Sequence, residues 1–207
     1  MPQLSAHPLG GQKIMNRKII VLLLLILLVD SGCKKDNPIK TGDNTSPTII
    51  MPLSVGNQWI LKITNADSSN PVTAIDTMSV EKDTTINGEL WFHLRFLGVF
   101  GDVNLILTNR ADGLYEFYHA NSPQVSLWLK YPSAPGAQYV HNNPIEVISI
   151  NDTIIVPAGQ FVCYHYSSTF YDYWFSPNIG VIKYEEYVGL YKGTKIGTFE
   201  LQKYYIN

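Results

Sequence analysis

Cysteine is almost missing: Cys33 and Cys163 are the two in 207 residues. A disulfide framework is therefore excluded as the source of stability. Charge is sparse as well, at 15% of residues, and there are no basic runs. From residue 33 onward twelve basic side chains stand against sixteen acidic ones, a net charge of −4. Such a surface has no footprint for nucleic acid or for anionic lipid headgroups. Long apolar runs are lacking too, and the longest, Ile19 to Val29, has eleven residues. A helix of that length reaches only about 16 Å, half the hydrocarbon thickness of a bilayer, and cannot span it. No window carries a sustained helical apolar stripe, which argues against amphipathic helices. HExxH, CxxC, GxSxG, GxGxxG and P-loop spacings are all absent.

What is present begins with MNRKIIVLLLLILLVDSGCKKD, Met15 to Asp36. Arg17 and Lys18 precede the apolar run, and Ser31 and Gly32 precede Cys33. The length and flanks fit the apolar core of a secretory signal peptide. The segment resembles the bacterial lipoprotein signal, in which a cysteine after a short apolar and small-residue box is cut and acylated. It departs from that pattern at Asp30, where an aliphatic residue is usual. The resemblance implies a signal peptide over 1–32, with Met15 as the true start and 1–14 a mis-called extension. It also implies a lipidated Cys33 carrying palmitate-type chains at the head of the mature protein. One acyl chain holds a protein only marginally, whereas two or more hold it stably. Cys163 then has no partner and is most safely buried.

Lys34 to Thr48 is polar and broken by Pro, Gly and Asn, so 33–49 reads as the lipidated cysteine and a flexible tether. Lys34, Lys35 and Asp36 resemble, in part, the charged signal that sends some Bacteroidota lipoproteins to the cell surface. Residues 50–207 read as a single all-β domain. β-branched and aromatic residues recur in short runs between turn signals. Trp59 to Thr64 opens the sheet, and Thr73 to Ile86 meets Asn87-Gly88, the strongest short hairpin signal. Glu89 to Phe100 alternates, with Leu90, Phe92, Leu94 and Phe96 on one face and Trp91, His93 and Arg95 on the other. Gly101-Asp102 and Asp112-Gly113 predict tight turns, and Val103, Leu105 and Leu107 share a face. Val125, Leu127, Leu129 and Tyr131 read as a further inward set. Tyr131 to Pro144 is the longest break after the tether and divides two sheets or two halves of a barrel. Ile145 to Val156, Gln160 to Ser168, Tyr171 to Phe175, Gly180 to Val188 and Lys195 to Ile206 complete the strands. Short loops make sequence neighbours antiparallel partners, so the fold expected is an antiparallel meander, as a strongly curved sheet or an open barrel or sandwich.

Three patterns resemble small lipoproteins of the Bacteroidota. They are Pro52-Leu53 with Gly56-Asn57 and Trp59, Val156-Pro157-Ala158-Gly159 with Phe161 and Cys163-Tyr164, and Trp174-Phe175-Ser176-Pro177 with Gly180-Val181 and Lys183. These are turn and core residues. The resemblance implies compartment and β architecture and carries over no activity.

Residues in patterns that carry chemistry are few. Cys163 and His165, two apart on a strand, are the best metal-ligand pair, but a zinc site needs three or four ligands. His93, His119 and His141 would have to converge through the fold. No metal or other cofactor and no catalytic residue is therefore assigned. Glu185-Glu186 would point to opposite faces, one solvated and one at an edge. Asp76-Thr77-Met78 and Asp152-Thr153-Ile154 look like the short O-glycosylation acceptor of exported Bacteroidota proteins. The aromatic content is the richer signal, since nine of thirteen tyrosines lie between Tyr164 and Tyr205. Tyrosine and tryptophan on a wet sheet face stack on sugar rings or anchor a partner, but they also pack cores. Tyr171, Tyr173 and Trp174 are the candidate ligand-binding residues, with Trp128 a weaker one. The expectation is an outer-membrane lipoprotein, non-enzymatic, binding an unspecified ligand or assisting an envelope partner. A carbohydrate-binding lipoprotein aiding glycan uptake is the alternative, and a hydrolase with a dispersed site the second.

Overall fold

The computed structural model describes residues 48–65, 73–98, 101–118, 124–189 and 192–207, all within one compact unit, Pro47–Asn207. The expected signal peptide, the expected lipidation at Cys33, the expected tether up to residue 47, and His119 lie outside the described residues. Among the described residues there are twelve strands and no helix. They are β1 (Gln58–Asn65), β2 (Thr73–Ile86), β3 (Glu89–Gly98), β4 (Gly101–Arg110), β5 (Gly113–Tyr118) and β6 (Gln124–Lys130). The second half holds β7 (Gln138–Val140), β8 (Pro144–Val156), β9 (Gly159–Ser168), β10 (Tyr171–Ser176), β11 (Gly180–Val188) and β12 (Thr194–Tyr205).

All pairings are antiparallel, and the sheet runs β6-β5-β4-β3-β2-β1-β12-β11-β10-β9-β8-β7. The all-β meander expected from the short loops is therefore present, as one nearly closed, barrel-shaped sheet. Asn87-Gly88 makes the predicted tight turn, both residues at positive φ (51° and 82°). The first and last strands pair in the middle of the order, where Leu61 faces Leu201 and Ile63 faces Phe199. That long-range pairing brings the chain's two halves together, and the edge strands β6 and β7 end up consecutive in sequence.

No backbone ladder among the described residues joins β6 to β7, and tyrosine side chains stand in for one. The Tyr139 hydroxyl donates to Trp128 O at 2.9 Å and accepts from Lys130 N at 3.3 Å. The Tyr166 hydroxyl donates to Lys130 O at 3.0 Å. An unpaired strand edge must satisfy its polar groups or invite another chain, and these hydroxyls occupy part of the β6 edge. The break Tyr131 to Pro144 is thus the crossing of the barrel's seam. It contains the three-residue strand β7, too short to show as periodicity.

One end of the barrel is packed shut. The segment leading into β1 lies across it, with Ile50 and Met51 buried beside Trp59 in the main core. Ile49 N donates to Asn178 Oδ1 and Asn178 N donates back to Ile49 O. Asn109 Nδ2 donates to Met51 O, and Trp59 Nε1 donates to Ile179 O at 2.6 Å. Gly180 makes this closure possible. At φ +97° it sits where L side chains are strained, and a Cβ there would lie 3.1 Å from Trp59 Nε1 and 3.2 Å from Met51 Cγ. Two of the turn-and-core patterns, Pro52 to Trp59 and Trp174 to Lys183, therefore meet at this base.

Two local expectations are corrected. Gly101 and Asp102 are not a turn: they open β4, and Gly101 pairs with Gly98. Val125 and Leu127 do not point inward. A register shift places Leu114 opposite Leu129 but Tyr115 opposite Leu127, so Trp128 is the extra residue of a β-bulge. The bulge reverses the alternation, turning Trp128 and Ser126 toward the interior and leaving Val125 exposed. Trp91 keeps its outward phase, yet it is buried, edge-on to Phe117 at 5.6 Å and beside the Arg110 guanidinium.

Candidate functional site

The end of the barrel opposite the packed base holds a cavity of about 400 Å³. Period-two alternation brings one residue in two from each strand to its wall. Met78, Phe96, Val103 and Leu105 supply an apolar side. Tyr171 and Tyr173 of β10 and Tyr184 of β11 form an aromatic side, with Trp128 arriving from the bulge in β6. Tyr171 stacks on Tyr173 at 5.5 Å, Trp128 meets Tyr173 edge-on at 6.0 Å, and Tyr184 stacks on Phe199 at 3.8 Å. These rings pack against one another, so they form a continuous aromatic wall.

Two carboxylates enter this aromatic space. Glu116 of β5 is 3.1 Å from His141 Nε2, and the Tyr118 hydroxyl is 2.6 Å from the same nitrogen. Ser126 Oγ lies 2.9 Å from His141 Nδ1, so both ring nitrogens are engaged. Asn142 Nδ2 donates to the Tyr118 hydroxyl at 2.6 Å, tying the β7–β8 loop to β5 across the seam. Burial, reinforced by hydrogen bonding to Glu116, keeps the Tyr118 phenol neutral far above its ordinary range. Glu186 of β11 is different. It is 7% exposed, and no protein group hydrogen-bonds to its Oε2. Burial pushes its carboxyl up to about 7. The Tyr184 hydroxyl, in the same wall, is likewise buried without a partner.

Of the four candidate ligand-binding residues, Tyr171, Tyr173 and Trp128 line this one cavity. Trp174 does not join them. Its strand phase turns it to the outer face, where it stacks on His165 at 4.4 Å with Lys183 Nζ 5.0 Å from the ring centre. Neighbours on both flanking strands thus occupy the ring that was to meet a ligand. Around it His165 lies 3.3 Å from Asp152 and 3.4 Å from Asp172. Burial would raise the Asp172 carboxyl, but hydrogen bonds from His165 and Lys192 outweigh it and hold it down at about 2.

Cys163 is fully buried in the core, and burial raises its thiol to about 12, so it is a packed, protonated side chain. No group of three or more His, Cys, Asp or Glu that could hold a metal occurs among the described residues. Glu185 and Glu186 do point to opposite faces, but neither is solvated. Glu185 lies 2.9 Å from Lys183 and accepts the Tyr187 hydroxyl at 2.6 Å, whereas Glu186 faces the cavity. Thr77 and Thr153 of the two acceptor-like triplets are exposed on β2 and β8.

Glu116, His141, Tyr118, Tyr184 and Glu186 were not singled out as ligand-binding residues from the sequence. The isolated signal available was an acidic residue at an inward strand position, and that phase becomes visible once the bulges are known.

No protein-family model matches the chain, and no curated protein matches it in sequence. Among solved structures, a protein of Bacteroides fragilis NCTC 9343, described as exported with a YmcC-like fold, is similar in fold. The TM-score is 0.52 at 13% identity, covering 76% of this chain and 99% of that one. A protein described as a lipoprotein, from Parabacteroides distasonis ATCC 8503, gives a TM-score of 0.49 at 15% identity, over 77% and 100% of the two chains. The likeness to the Bacteroides fragilis protein is one of fold.

Proposed function

We propose that this chain is a lipoprotein held in the outer membrane through an acylated Cys33, and that its barrel is a non-enzymatic receptor for a small ligand, serving an envelope process. The cavity carries the reading. Its volume of about 400 Å³ lies in the range of small-molecule sites, and its composition, mostly apolar and aromatic with a few convergent polar groups, is what such sites share. The polar groups speak for binding over turnover. Ser168 Oγ exchanges hydrogen bonds with the Tyr171 backbone rather than with a base, and Glu116 is engaged by His141. The Bacteroides fragilis protein of similar fold is described as exported, which supports the compartment. A sugar is the second reading, favoured by the stacked Tyr171 and Tyr173 and by Asn142 and Asn143 at the rim.

Calorimetry of the detergent-solubilised full chain against a panel of glycans and small metabolites tests the site. Tyr173→Ala and Trp128→Ala should each weaken binding at least tenfold, and Trp174→Ala should leave it unchanged. Loss of binding on Trp174→Ala, with Tyr173→Ala unaffected, would move the site to the outer face. Fatty-acid labelling tests the anchor, and label that persists in Cys33→Ala would sink it.

A further inference from the structure

The cavity's charge is one-sided. Glu116 and Glu186 are its carboxylates, His141 is already engaged by Glu116, Tyr118 and Ser126, and no Lys or Arg appears among its described lining residues. Two buried polar atoms in its wall lack a protein partner, Glu186 Oε2 and the Tyr184 hydroxyl. Buried groups left unsatisfied are costly, and a built site keeps them where a ligand supplies the missing bonds. Both can accept: a carboxylate is acceptor-only and a phenol has lone pairs. These acceptors share the cavity with Tyr171, Tyr173 and Trp128, whose π-systems attract cations at their faces.

We infer that the mouth of the barrel takes an organic cation, its apolar or aromatic body against Tyr173 and Trp128 and its ammonium group donating to Glu186 and Tyr184. The inference rests on the reading of the cavity as a ligand site and names the class of ligand. An anion would meet two carboxylates without a free counter-charge. A neutral ligand would leave Glu186 to be neutralised by a proton, and that difference is measurable.

The groups facing Glu186 are Tyr171 and Tyr173 of β10, Tyr184 of β11, Glu116 and Tyr118 of β5, and His141 of the β7–β8 loop, while Asp76 of β2 acts on Tyr184. Within this set, Glu186 is the carboxyl poised at about 7 by burial. A cation that requires the ionised form should therefore bind about tenfold more weakly at pH 6 than at pH 8, because it must displace a proton. A neutral ligand should show no such step.

Three isosteric probes on the full chain test this, read by calorimetry and by tryptophan fluorescence: 4-phenylbutylamine, 4-phenylbutanol and 4-phenylbutyrate. The amine should bind at least tenfold more tightly than the alcohol, and the carboxylate should not bind. Glu186→Gln should remove both the preference and the pH step, and Tyr184→Phe should weaken the amine with the fold kept. If the alcohol matches the amine, the cation is refuted while the cavity stands as a site. If the pH step survives in Glu186→Gln, another group carries it and the assignment of Glu186 fails. If none of the three binds, the cation is refuted, and the cavity reading falls with it when the panel of glycans and small metabolites is silent as well.

Discussion

Glu186 offers a sharp test because its cost to the fold has a definite sign. Burial raises its carboxyl from 4.5 to about 7. The folded chain then holds that proton more tightly than the unfolded chain does. Stability supplied by the protonated group is fully present below pH 4.5 and is lost as pH rises through 7. At ~1.4 kcal/mol per tenfold, the loss amounts to about 3 kcal/mol. Asp172 works the other way: held at about 2 against an ordinary 3.8, it contributes stability that disappears as pH falls through 2. Between these windows the stability of the fold should pass through a maximum at about pH 4 to 5. Glu186→Gln keeps the shape and removes the ionisation. It should be more stable than wild type at pH 8 by about 3 kcal/mol and should flatten the fall in stability between pH 4.5 and 7. Urea unfolding followed by tryptophan fluorescence reads this as a midpoint shift of roughly 1–2 M at an unchanged m-value. A Gln variant no more stable than wild type at pH 8 would refute the reasoning, as would a wild-type profile that is flat from pH 4.5 to 7.

Gly180→Ala should cost about 1–3 kcal/mol, since the new Cβ meets Trp59 and Met51 at a φ of +97°; an unchanged melting temperature would mean that the base tolerates repacking. Asn57→Ala removes the bonds to Pro52 O and from Asn207 N, both 3.0 Å, and should cost about 2–4 kcal/mol by chemical denaturation. Tyr139→Phe should strip the β6 edge of its stand-in partner, and hydrogen exchange at the Lys130 amide should accelerate by about tenfold or more. An unaltered Lys130 rate would show that the seam is held elsewhere.

Local signals carried the strands well. Asn87-Gly88 forces a hairpin by its own backbone preferences, and the alternation of Val103, Leu105 and Leu107 is a property of one strand, so neither needed tertiary information. Phase failed at Trp128, because a bulge is decided by what lies across the ladder, and a one-residue slip turns each side chain behind it to the other face. The same kind of irregularity intervenes between Glu186 and Tyr187 on β11. The aromatic cluster Tyr171, Tyr173 and Trp174 was visible as composition, but strand parity divides it, two rings inside and one outside. Glu116 and Glu186 stand seventy residues apart, on strands that share no ladder in the sheet order, and no spacing rule brings them to one cavity.

The two ends of the barrel are satisfied to different degrees, and that contrast argues where function sits. At the base Asn57, Asn109, Asn178 and Trp59 each find a backbone partner, and Gly180 lets the chain close over them without a gap. Consistency of turn chemistry, packing and polar satisfaction is what specifies a fold. At the mouth the same chain buries Glu186 and Tyr184 with polar atoms that no protein group meets. A fold selected for stability alone would hold an apolar residue at 186, since Leu or Met would fill the wall without the cost of a buried carboxyl. Departures from local consistency concentrate where a protein works. A carboxylate that weakens the barrel and improves nothing around it is therefore best understood as half of a contact, with the other half on the ligand.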